Sequence, residues 1–310
     1  MKGPLFYSKI LLFGEYGIIK DSKGLSIPYN FFKGALKTDE NPSEQAKKSN
    51  EGLKAFAEYL EALQNDGLVS FDLNSLNEDI DNGMYFDSSI PQGYGIGSSG
   101  ALVAAIYDKY AHDKITVLEN LTREKLLKLK AIFGKMESFF HGKSSGLDPL
   151  NSYLSLPILI NSKDNIESTI LPSQNKGGKG AVFLLDSGMT GETAPMVQLF
   201  MEKMKHEGFR NIIKDKFIKH TDACVEHFLN GDIKSLFGHV KQLSNVVLHH
   251  FKPMIPKQFH SLWKKGIETG DYYLKLCGSG GGGYILGFTE DIDKARTALS
   301  GHKLEVVYNF

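Results

Sequence analysis

Residues 91–100 read PQGYGIGSSG, and an apolar, helix-forming run, ALVAAI, follows at once at residues 101–106. Glycines let a backbone turn tightly and approach phosphate oxygens, while the free N–H groups at a helix start favour negative charge. The stretch therefore predicts a phosphate-binding loop that leads into a helix. One of its serine hydroxyls is also a candidate oxygen ligand for Mg²⁺, which prefers hard oxygen donors. The candidate phosphate ligands are Gly93, Gly95, Gly97, Ser98, Ser99 and Gly100.

Other interpretations of this loop remain open. Gly95, Gly97 and Gly100 form the pattern G-x-G-x-x-G, with Glu119 about 20 residues further on, as in dinucleotide-binding folds. That motif should follow directly on a buried strand, whereas PQGY precedes it here. The loop lacks the lysine of a Walker A motif, and a simple turn with a helix cap is a further alternative.

Outward from this loop, aromatic and branched residues predict strands in the first third of the chain, at 5–13, 17–20, 31–36, 69–73 and 84–87. Apolar residues at helical spacing predict a helix within 41–65 and two more at 100–109 and 123–141. Further strands are predicted at 153–160 and 181–186. These elements indicate a mixed α/β N-terminal lobe.

The polar, glycine-rich tract 174–180 is the best candidate for a lobe boundary. We therefore predict lobes at 1–175 and 176–310. Residues 195–269 have a helical pattern, and strands return at 284–288 and 304–308. The predicted class is α+β, with a second lobe of helices on an antiparallel sheet.

A second cluster, residues 137–148, reads ESFFHGKSSGLD. Glu137 lies one helical turn after Phe133, beside an apolar stripe, so it is either a solvated flank residue or a buried carboxylate that needs a partner such as a metal ion. Asp148 closes a loop of glycines and serines. It is either a turn former or a carboxylate placed at a cleft.

A third cluster, residues 275–284, reads KLCGSGGGGY and precedes a predicted strand. Consecutive glycines are typical of a flexible linker, but linkers seldom separate a helix from a strand of one lobe. Close approach of this backbone to a ligand or another loop is the favoured interpretation.

Composition restricts the partners. Lys and Arg total 36, as do Asp and Glu, so no global field favours nucleic acid or an anionic membrane. No apolar run approaches the roughly 18 residues that span a bilayer. Cys224 and Cys277 form no multi-cysteine framework, which suits a reducing cytosol. We expect a cytoplasmic protein with a small-molecule partner.

Histidines at 220, 227, 249 and 250 raise the question of a transition-metal site. Their adjacent and seven-residue spacings are not those of usual metal ligands, so we interpret them as helix-surface residues.

Together the three clusters resemble the motifs of the GHMP kinases (galactokinase, homoserine kinase, mevalonate kinase and phosphomevalonate kinase). Residues 8–16, SKILLFGEY, look like motif one, residues 91–100 like motif two and residues 278–283 like motif three. The stretch HGKSSGLD at 141–148 is similar to the mevalonate kinase signature H-G-x-P-S-G-x-D, with Ser144 in place of proline. The resemblance spans nearly the whole chain and implies the two-lobed GHMP fold.

The resemblance also implies the chemistry. It implies ATP and Mg²⁺ as cofactors and phosphorylation of a small-molecule hydroxyl, with mevalonate as the favoured acceptor and a homodimer as a further expectation. Asp148 would be the catalytic carboxylate, Lys9 the catalytic cation, and Ser99 and Glu137 the Mg²⁺ ligands. The implied acceptor-binding residues are Glu15, Tyr16, His141, Ser145, Gly146, Thr193, Gly280 and Gly281.

Two departures concern the acceptor. Tyr16 and Gly100 look more like phosphomevalonate kinases, whereas the pair His141 and Gly142, with Tyr284, is closer to the mevalonate pattern. Phosphomevalonate is therefore the alternative acceptor, and other GHMP substrates follow it. A catalytically silent sensor of the same fold and a dinucleotide oxidoreductase are the rivals from other classes.

Overall fold

The computed structural model describes residues 3–116, 118, 120–175 and 177–310. Glu119, of the dinucleotide alternative, and Lys176, at the predicted lobe boundary, lie outside the described residues. Within the described ranges, no helix is both long and apolar enough to cross a membrane.

Strands occur in three groups along the described chain, with helices between them and within the first and last groups. The strands are β1 (Phe6–Phe13), β2 (Gly24–Thr38), β3 (Met84–Ser88), β4 (Ile158–Ser162), β5 (Asn165–Ser168), β6 (Ala181–Asp186), β7 (Tyr273–Leu276), β8 (Tyr284–Thr289) and β9 (Leu304–Asn309). The α-helices are α1 (Glu44–Gln64), α2 (Leu73–Asp81), α3 (Ser98–Tyr110), α4 (Arg123–His141), α5 (Leu147–Leu154), α6 (Thr193–Lys203), α7 (Glu207–Ile212), α8 (Lys219–Asn230), α9 (Ile233–His250), α10 (His260–Thr269) and α11 (Ile292–Ala298). Short 3₁₀ helices occupy Gly17–Lys20, Lys252–Met254 and Lys257–Phe259, and a π-helical segment occupies Ile213–Ile218.

The strands form two sheets. One has the order β1-β2-β4-β5, with β3 also paired to β2, and the other has the order β7-β8-β6-β9. The pairs β2–β3, β2–β4, β4–β5, β6–β8, β6–β9 and β7–β8 are antiparallel. A dinucleotide-binding fold needs parallel neighbours, so these pairings disfavour that alternative and confirm the predicted α+β class.

The chain divides into two compact units, each made from several segments. Unit 1 comprises Met1–Lys9, Ile27–Pro91 and Ile96–Leu156, and unit 2 comprises Ile10–Ser26, Gln92–Gly95 and Pro157–Phe310. The predicted lobes, 1–175 and 176–310, divide the chain differently and stay a prediction.

The core of unit 1 forms around α3, which is apolar on nearly all sides and therefore lies in the interior. Its residues Ala101, Ala104 and Ile106 are fully buried. Helix α5 can approach α3 closely because Gly100 has no side chain, since a Cβ there would lie 2.7 Å from the backbone nitrogen of Pro149. This approach brings the start of α5 to the start of α3.

The core of unit 2 forms on β6, which is buried from Ala181 to Leu185 because β8 and β9 flank it. Phe13 stacks on Phe288 of β8, with ring centroids 5.3 Å apart. Trp263 of α10 is also fully buried, and its indole N–H donates to the Ser244 carbonyl of α9 at 3.1 Å.

Three short strand predictions are wrong in whole or in part. Residues 17–20 form a 3₁₀ helix, and residues 69–73 contribute only a bridge at Phe71 before Asp72 caps α2. The region 153–160 contains the end of α5, a left-handed turn at Ser155 and the start of β4. Short apolar runs do not distinguish strand from helix by periodicity alone, and local capping decides each case.

Candidate active site

The glycine-rich loop, residues 91–100, ends at the start of α3. Gly97 caps this helix with a left-handed φ of 83°, and Ser98 and Ser99 are its first residues. The Lys9 backbone N–H donates to the Ile96 carbonyl at 3.0 Å, so β1 holds the loop. A Cβ on Gly97 would lie 3.1 Å from Lys9 Cγ, and the lysine side chain therefore passes directly against the loop backbone.

Lys9 and Asp148 form an ion pair beside this loop. The distance from Lys9 Nζ to Asp148 Oδ1 is 2.9 Å, and the side chains are 4% and 36% exposed. Asp148 is the second residue of α5, directly after Leu147, and Gly146 precedes the helix with a φ of 73°. The arrangement keeps the lysine buried while the carboxylate remains accessible.

Glu137 lies in a second polar group at the same end of α3. Ser99 Oγ donates to Glu137 Oε1 at 2.9 Å, and the Ser144 hydroxyl donates to the other carboxylate oxygen. His141 Nε2 lies 2.9 Å from Ser99 Oγ. Glu137 is only 3% exposed, so the buried-carboxylate interpretation of the sequence is correct.

Burial first, and then the charge of Asp148, raises the pKa of Glu137 to about 7. Hydrogen bonds from Ser144 and Ser99 and the charge of Lys9 act in the opposite direction. The carboxylate is thus held where its charge is disfavoured, which is typical of functional sites.

These residues fit a magnesium ion by the chemistry of their donors. The Ser99 hydroxyl and the Glu137 carboxylate are adjacent hard oxygens, and Mg²⁺ in phosphotransfer sites is commonly bound through one or two protein ligands together with phosphates and water. A cation at this position would also relieve the cost of the buried charge on Glu137. Among the described residues no group of three or more His, Cys, Asp or Glu could hold a metal ion.

The remaining signature residues of unit 1 line the loop between α4 and α5. His141 is the exposed last residue of α4, and Ser145 is also exposed. Gly146 is buried against α4, where a Cβ would meet the Gly134 backbone nitrogen at 2.6 Å. The glycine therefore fixes the approach of α5 to α4.

In unit 2, Glu15 is buried with a lysine that the sequence argument gave no role. Lys275 Nζ donates to Glu15 Oε1 at 2.5 Å, and the two side chains are 4% and 5% exposed. Lys275 also donates to the Leu276 carbonyl at 2.9 Å. The signal in the sequence was a single lysine in the apolar strand YLKL directly before the glycine run.

Tyr16 is also buried, at 5% exposed, and has an unusual φ of 60°. Its hydroxyl donates to the Ser279 carbonyl at 2.6 Å, and its ring packs on Phe200 and Phe251. Burial, followed by the charge of Glu15, raises the pKa of the Tyr16 phenol. The hydroxyl is therefore neutral and fastens the glycine-rich segment to motif one.

The glycine run packs directly on other backbone segments of unit 2. A Cβ on Gly95 would lie 2.6 Å from the Cys277 carbonyl oxygen, and one on Gly283 would lie 2.5 Å from Tyr94 Cα. The Gly281 N–H donates to the Met254 carbonyl at 2.7 Å. Close backbone approach, rather than linker flexibility, explains the glycines here.

The other predicted residues of unit 2 lie around this run. Thr193 is exposed at the start of α6, and the Ser279 hydroxyl donates to its Oγ1 at 3.4 Å. Gly280 has a φ of 77° and Gly281 a φ of 81°. Gly93 accepts a hydrogen bond from the Gly191 N–H at 2.8 Å, which ties the first loop to the segment before Thr193.

One family model matches part of the chain. Residues 53–155 match the family model described as GHMP kinases N terminal domain. No curated protein matches the chain significantly in sequence.

Solved structures resemble the chain over its whole length. L. major mevalonate kinase in complex with R-mevalonate is 17% identical, with a TM-score of 0.63 over 100% of this chain and 99% of that chain. Streptococcus pneumoniae phosphomevalonate kinase in complex with phosphomevalonate and AMPPNP is 13% identical, with a TM-score of 0.64 over 99% and 100%. Lactococcus lactis galactokinase complexed with galactose is 12% identical, with a TM-score of 0.64 over 98% and 92%.

Mevalonate kinases recur among the similar structures. Identities this low establish a shared fold, and the family model covers the region that contains the glycine-rich loop, Glu137 and Asp148. The chain therefore has the GHMP kinase fold, and its residues 53–155 match the model of the GHMP kinase N-terminal domain.

Proposed function

We propose that the chain is an ATP-dependent kinase that phosphorylates a hydroxyl group of a small molecule, and that mevalonate, converted to 5-phosphomevalonate, is its acceptor. The observation that carries the proposal is the Lys9–Asp148 ion pair, 2.9 Å long, against the glycine loop at the start of α3. Phosphoryl transfer needs a group that orients the acceptor hydroxyl and a cation near the phosphates. Asp148 can supply the first and Lys9 the second.

In the proposed reaction the acceptor oxygen forms a bond to the γ-phosphorus of ATP, and the bond from that phosphorus to the β–γ bridging oxygen breaks. Asp148 orients the acceptor hydroxyl and receives its proton. Lys9 stabilises the oxygen as it loses the proton and balances the charge on the transferring group. The N–H groups at the start of α3 and the Ser98 hydroxyl would bind phosphate oxygens.

Ser99 and Glu137 would hold Mg²⁺, which supplies positive charge against the phosphates when bound. His141 positions the Ser99 hydroxyl through their 2.9 Å contact. Ser144, which replaces the signature proline, holds the second oxygen of Glu137. This chain thus keeps its carboxylate oriented by two hydroxyls.

Mevalonate is the favoured acceptor because HGKSSGLD matches the mevalonate kinase signature at all but one fixed position. Phosphomevalonate is the second candidate, favoured by Tyr16, whose buried hydroxyl is bonded to Ser279. Glu15 is ion-paired with Lys275 and Tyr16 is bonded to Ser279, so we propose that Glu15 and Tyr16 hold the glycine-rich segment of unit 2 rather than contact the acceptor. The cytoplasmic location and the homodimer stay predictions from the sequence.

The test is a coupled assay of ADP release with MgATP and, in parallel, mevalonate, phosphomevalonate, galactose and homoserine. We expect turnover with mevalonate. Lys9→Met and Asp148→Asn should each lower kcat by about 10²–10³, because each removes one preorganised charge. Lys54→Met and Asp81→Asn change the same residue types at exposed positions and should leave kcat unchanged.

Turnover with phosphomevalonate alone would replace the acceptor and keep the reaction class. A folded protein that is silent with all four acceptors would favour the sensor. Normal rates in Lys9→Met or Asp148→Asn would refute the assigned roles.

A further inference from the structure

Unit 2 contains a groove that none of the three glycine-rich or acidic clusters contributes to. Its volume is about 360 Å³, within the range of small-ligand pockets. The π-helical segment, α8 and α9 form its walls. The lining residues are Asp215, Lys216, Lys219, His220, Gln242, Asn245, Val246, His249 and His250.

The π-helical segment gives this groove its shape. It is six residues long, and Phe217 points inward, where its ring packs on Phe251 with centroids 4.8 Å apart. Asp215 and Lys216, the two residues directly before Phe217, are exposed and line the groove. Wide helical turns of this kind are rare and occur frequently at functional sites, because they change the direction of side chains that a regular helix would place elsewhere.

The groove is cationic. Lys216 and Lys219 carry positive charge into it, and Asp215 is the single acidic residue of its lining. On α9, Gln242, Asn245 and His249 follow one another at intervals of three and four residues, so they share one helix face. Amide and imidazole groups on one wall therefore face two ammonium groups on the other.

The imidazoles respond to this environment. Burial first, and then the neighbouring His239 and Lys219, lowers the pKa of His220. Burial, then His249, Lys216 and Lys203, lowers the pKa of His250. Two lysines against the one carboxylate of Asp215 leave the groove lining with a net positive charge, and an anion in the groove would offset it.

A metal ion fits these residues less well. His220 Nδ1 lies 3.0 Å from His239 Nδ1, but in the described part of the chain no set of three or more metal-ligating side chains converges. The lysines would also repel a cation. The chemistry of the lining therefore favours a ligand of the opposite charge.

We propose that this groove is a binding site for a small anion that carries phosphate groups. Lys216 and Lys219 bind its oxygens as charge-assisted donors, and the α9 amides and imidazoles complete the hydrogen bonds. This proposal goes beyond the proposed phosphotransfer and does not depend on it. Its inner wall lies against the 3₁₀ helix Gly17–Lys20, since a Cβ on Gly17 would be 3.5 Å from the Phe217 ring.

The test is isothermal titration of the full chain with inorganic pyrophosphate at low salt. We expect saturable binding that weakens by at least about tenfold in the variant Lys216→Gln/Lys219→Gln, because two charge-assisted contacts are lost. The control, Lys234→Gln/Lys241→Gln, removes the same charge from exposed positions of α9 outside the groove and should bind as the wild type does. Added salt should weaken the wild-type interaction by screening.

Pyrophosphate can also occupy the proposed phosphate loop, so the readout is the difference between the two double variants. Circular dichroism should show both variants to be folded, since all four lysines are exposed. Equal binding by the two variants, or equal loss in both, would overturn the proposal. If the wild-type protein shows no kinase turnover but binds pyrophosphate in the groove, that result would count against the proposed function and would leave the proposal for the groove unaffected.

Discussion

Glu137 is a carboxylate held where burial works against its charge. It is 3% exposed, and its pKa is raised to about 7 from an ordinary 4.5. Between these values the folded protein keeps a proton on Glu137 that the unfolded chain would release. The stability of the folded state therefore falls as pH rises through this window.

The replacement Glu137→Gln removes this pH-dependent loss. We expect the free energy of unfolding of the variant, relative to the wild type, to rise between about pH 5 and about pH 8. Urea titrations at several pH values measure the difference. Glu58→Gln, at an exposed position in the middle of α1, is the matched control and should run parallel to the wild type. A Glu137→Gln difference that does not change with pH would show that the carboxyl is not perturbed.

Ser144 illustrates what a departure from a family signature can mean. Its position is a proline in the mevalonate kinase pattern, and here its hydroxyl bonds to Glu137 while its Oγ accepts from the Gly146 N–H at 3.0 Å. The residue type was visible in the sequence. Its partner, seven positions away on α4, became clear only from the fold.

At the scale of elements, helix α4 and strand β6 could be predicted with correct ends. The apolar stripe of α4 is long, Thr122 caps its N-terminus by accepting from Lys125 N–H, and Gly142 follows its last residue. The shorter elements were predicted less accurately. Residues 17–20 turn as a 3₁₀ helix because left-handed residues, Tyr16 and Asp21, flank them.

The glycine loops make a prediction at this scale. Gly95→Ala places a methyl group against the Cys277 carbonyl at a φ of 76°, so it should destabilise by about 2–5 kcal/mol from backbone strain and overpacking together. Gly142 has a similar φ of 73°, but a Cβ there would have no neighbouring atom within 4 Å. Gly142→Ala should therefore lower the free energy of unfolding by only about 1–2 kcal/mol. Chemical denaturation of both variants separates the two causes. Equal losses would mean that the close approach in the loop contributes nothing.

At the scale of the whole chain, residues far apart in sequence form two ion pairs, Lys9 with Asp148 and Glu15 with Lys275. Glu15 and Lys275 are 260 positions apart and form a buried ion pair. Removal of one partner leaves an uncompensated buried charge, which costs about 3–5 kcal/mol, whereas removal of both can be nearly neutral.

We therefore expect Lys275→Met to be strongly destabilised and the double variant Glu15→Gln/Lys275→Met to be more stable than that single variant. Equilibrium unfolding in urea gives the coupling free energy. The pair Lys37–Asp87 is the control, because both side chains are about half exposed and Lys37→Met should change stability far less. A double variant no more stable than Lys275→Met would rule out a dominant buried-charge effect.

By itself the sequence determined the class of fold and the helix α3 that follows the glycine-rich loop, because glycine, helix caps and apolar periodicity act over a few residues. The resemblance to the GHMP kinase motifs assigned candidate roles to Lys9, Asp148, Ser99 and Glu137. Only the tertiary structure decided that Lys9 meets Asp148, that Lys275 holds Glu15, and that Tyr16 bonds to the glycine run. Those pairings depend on which distant segments pack together, and burial makes them stronger. Local patterns along a chain encode neither the packing of distant segments nor the burial of the paired groups.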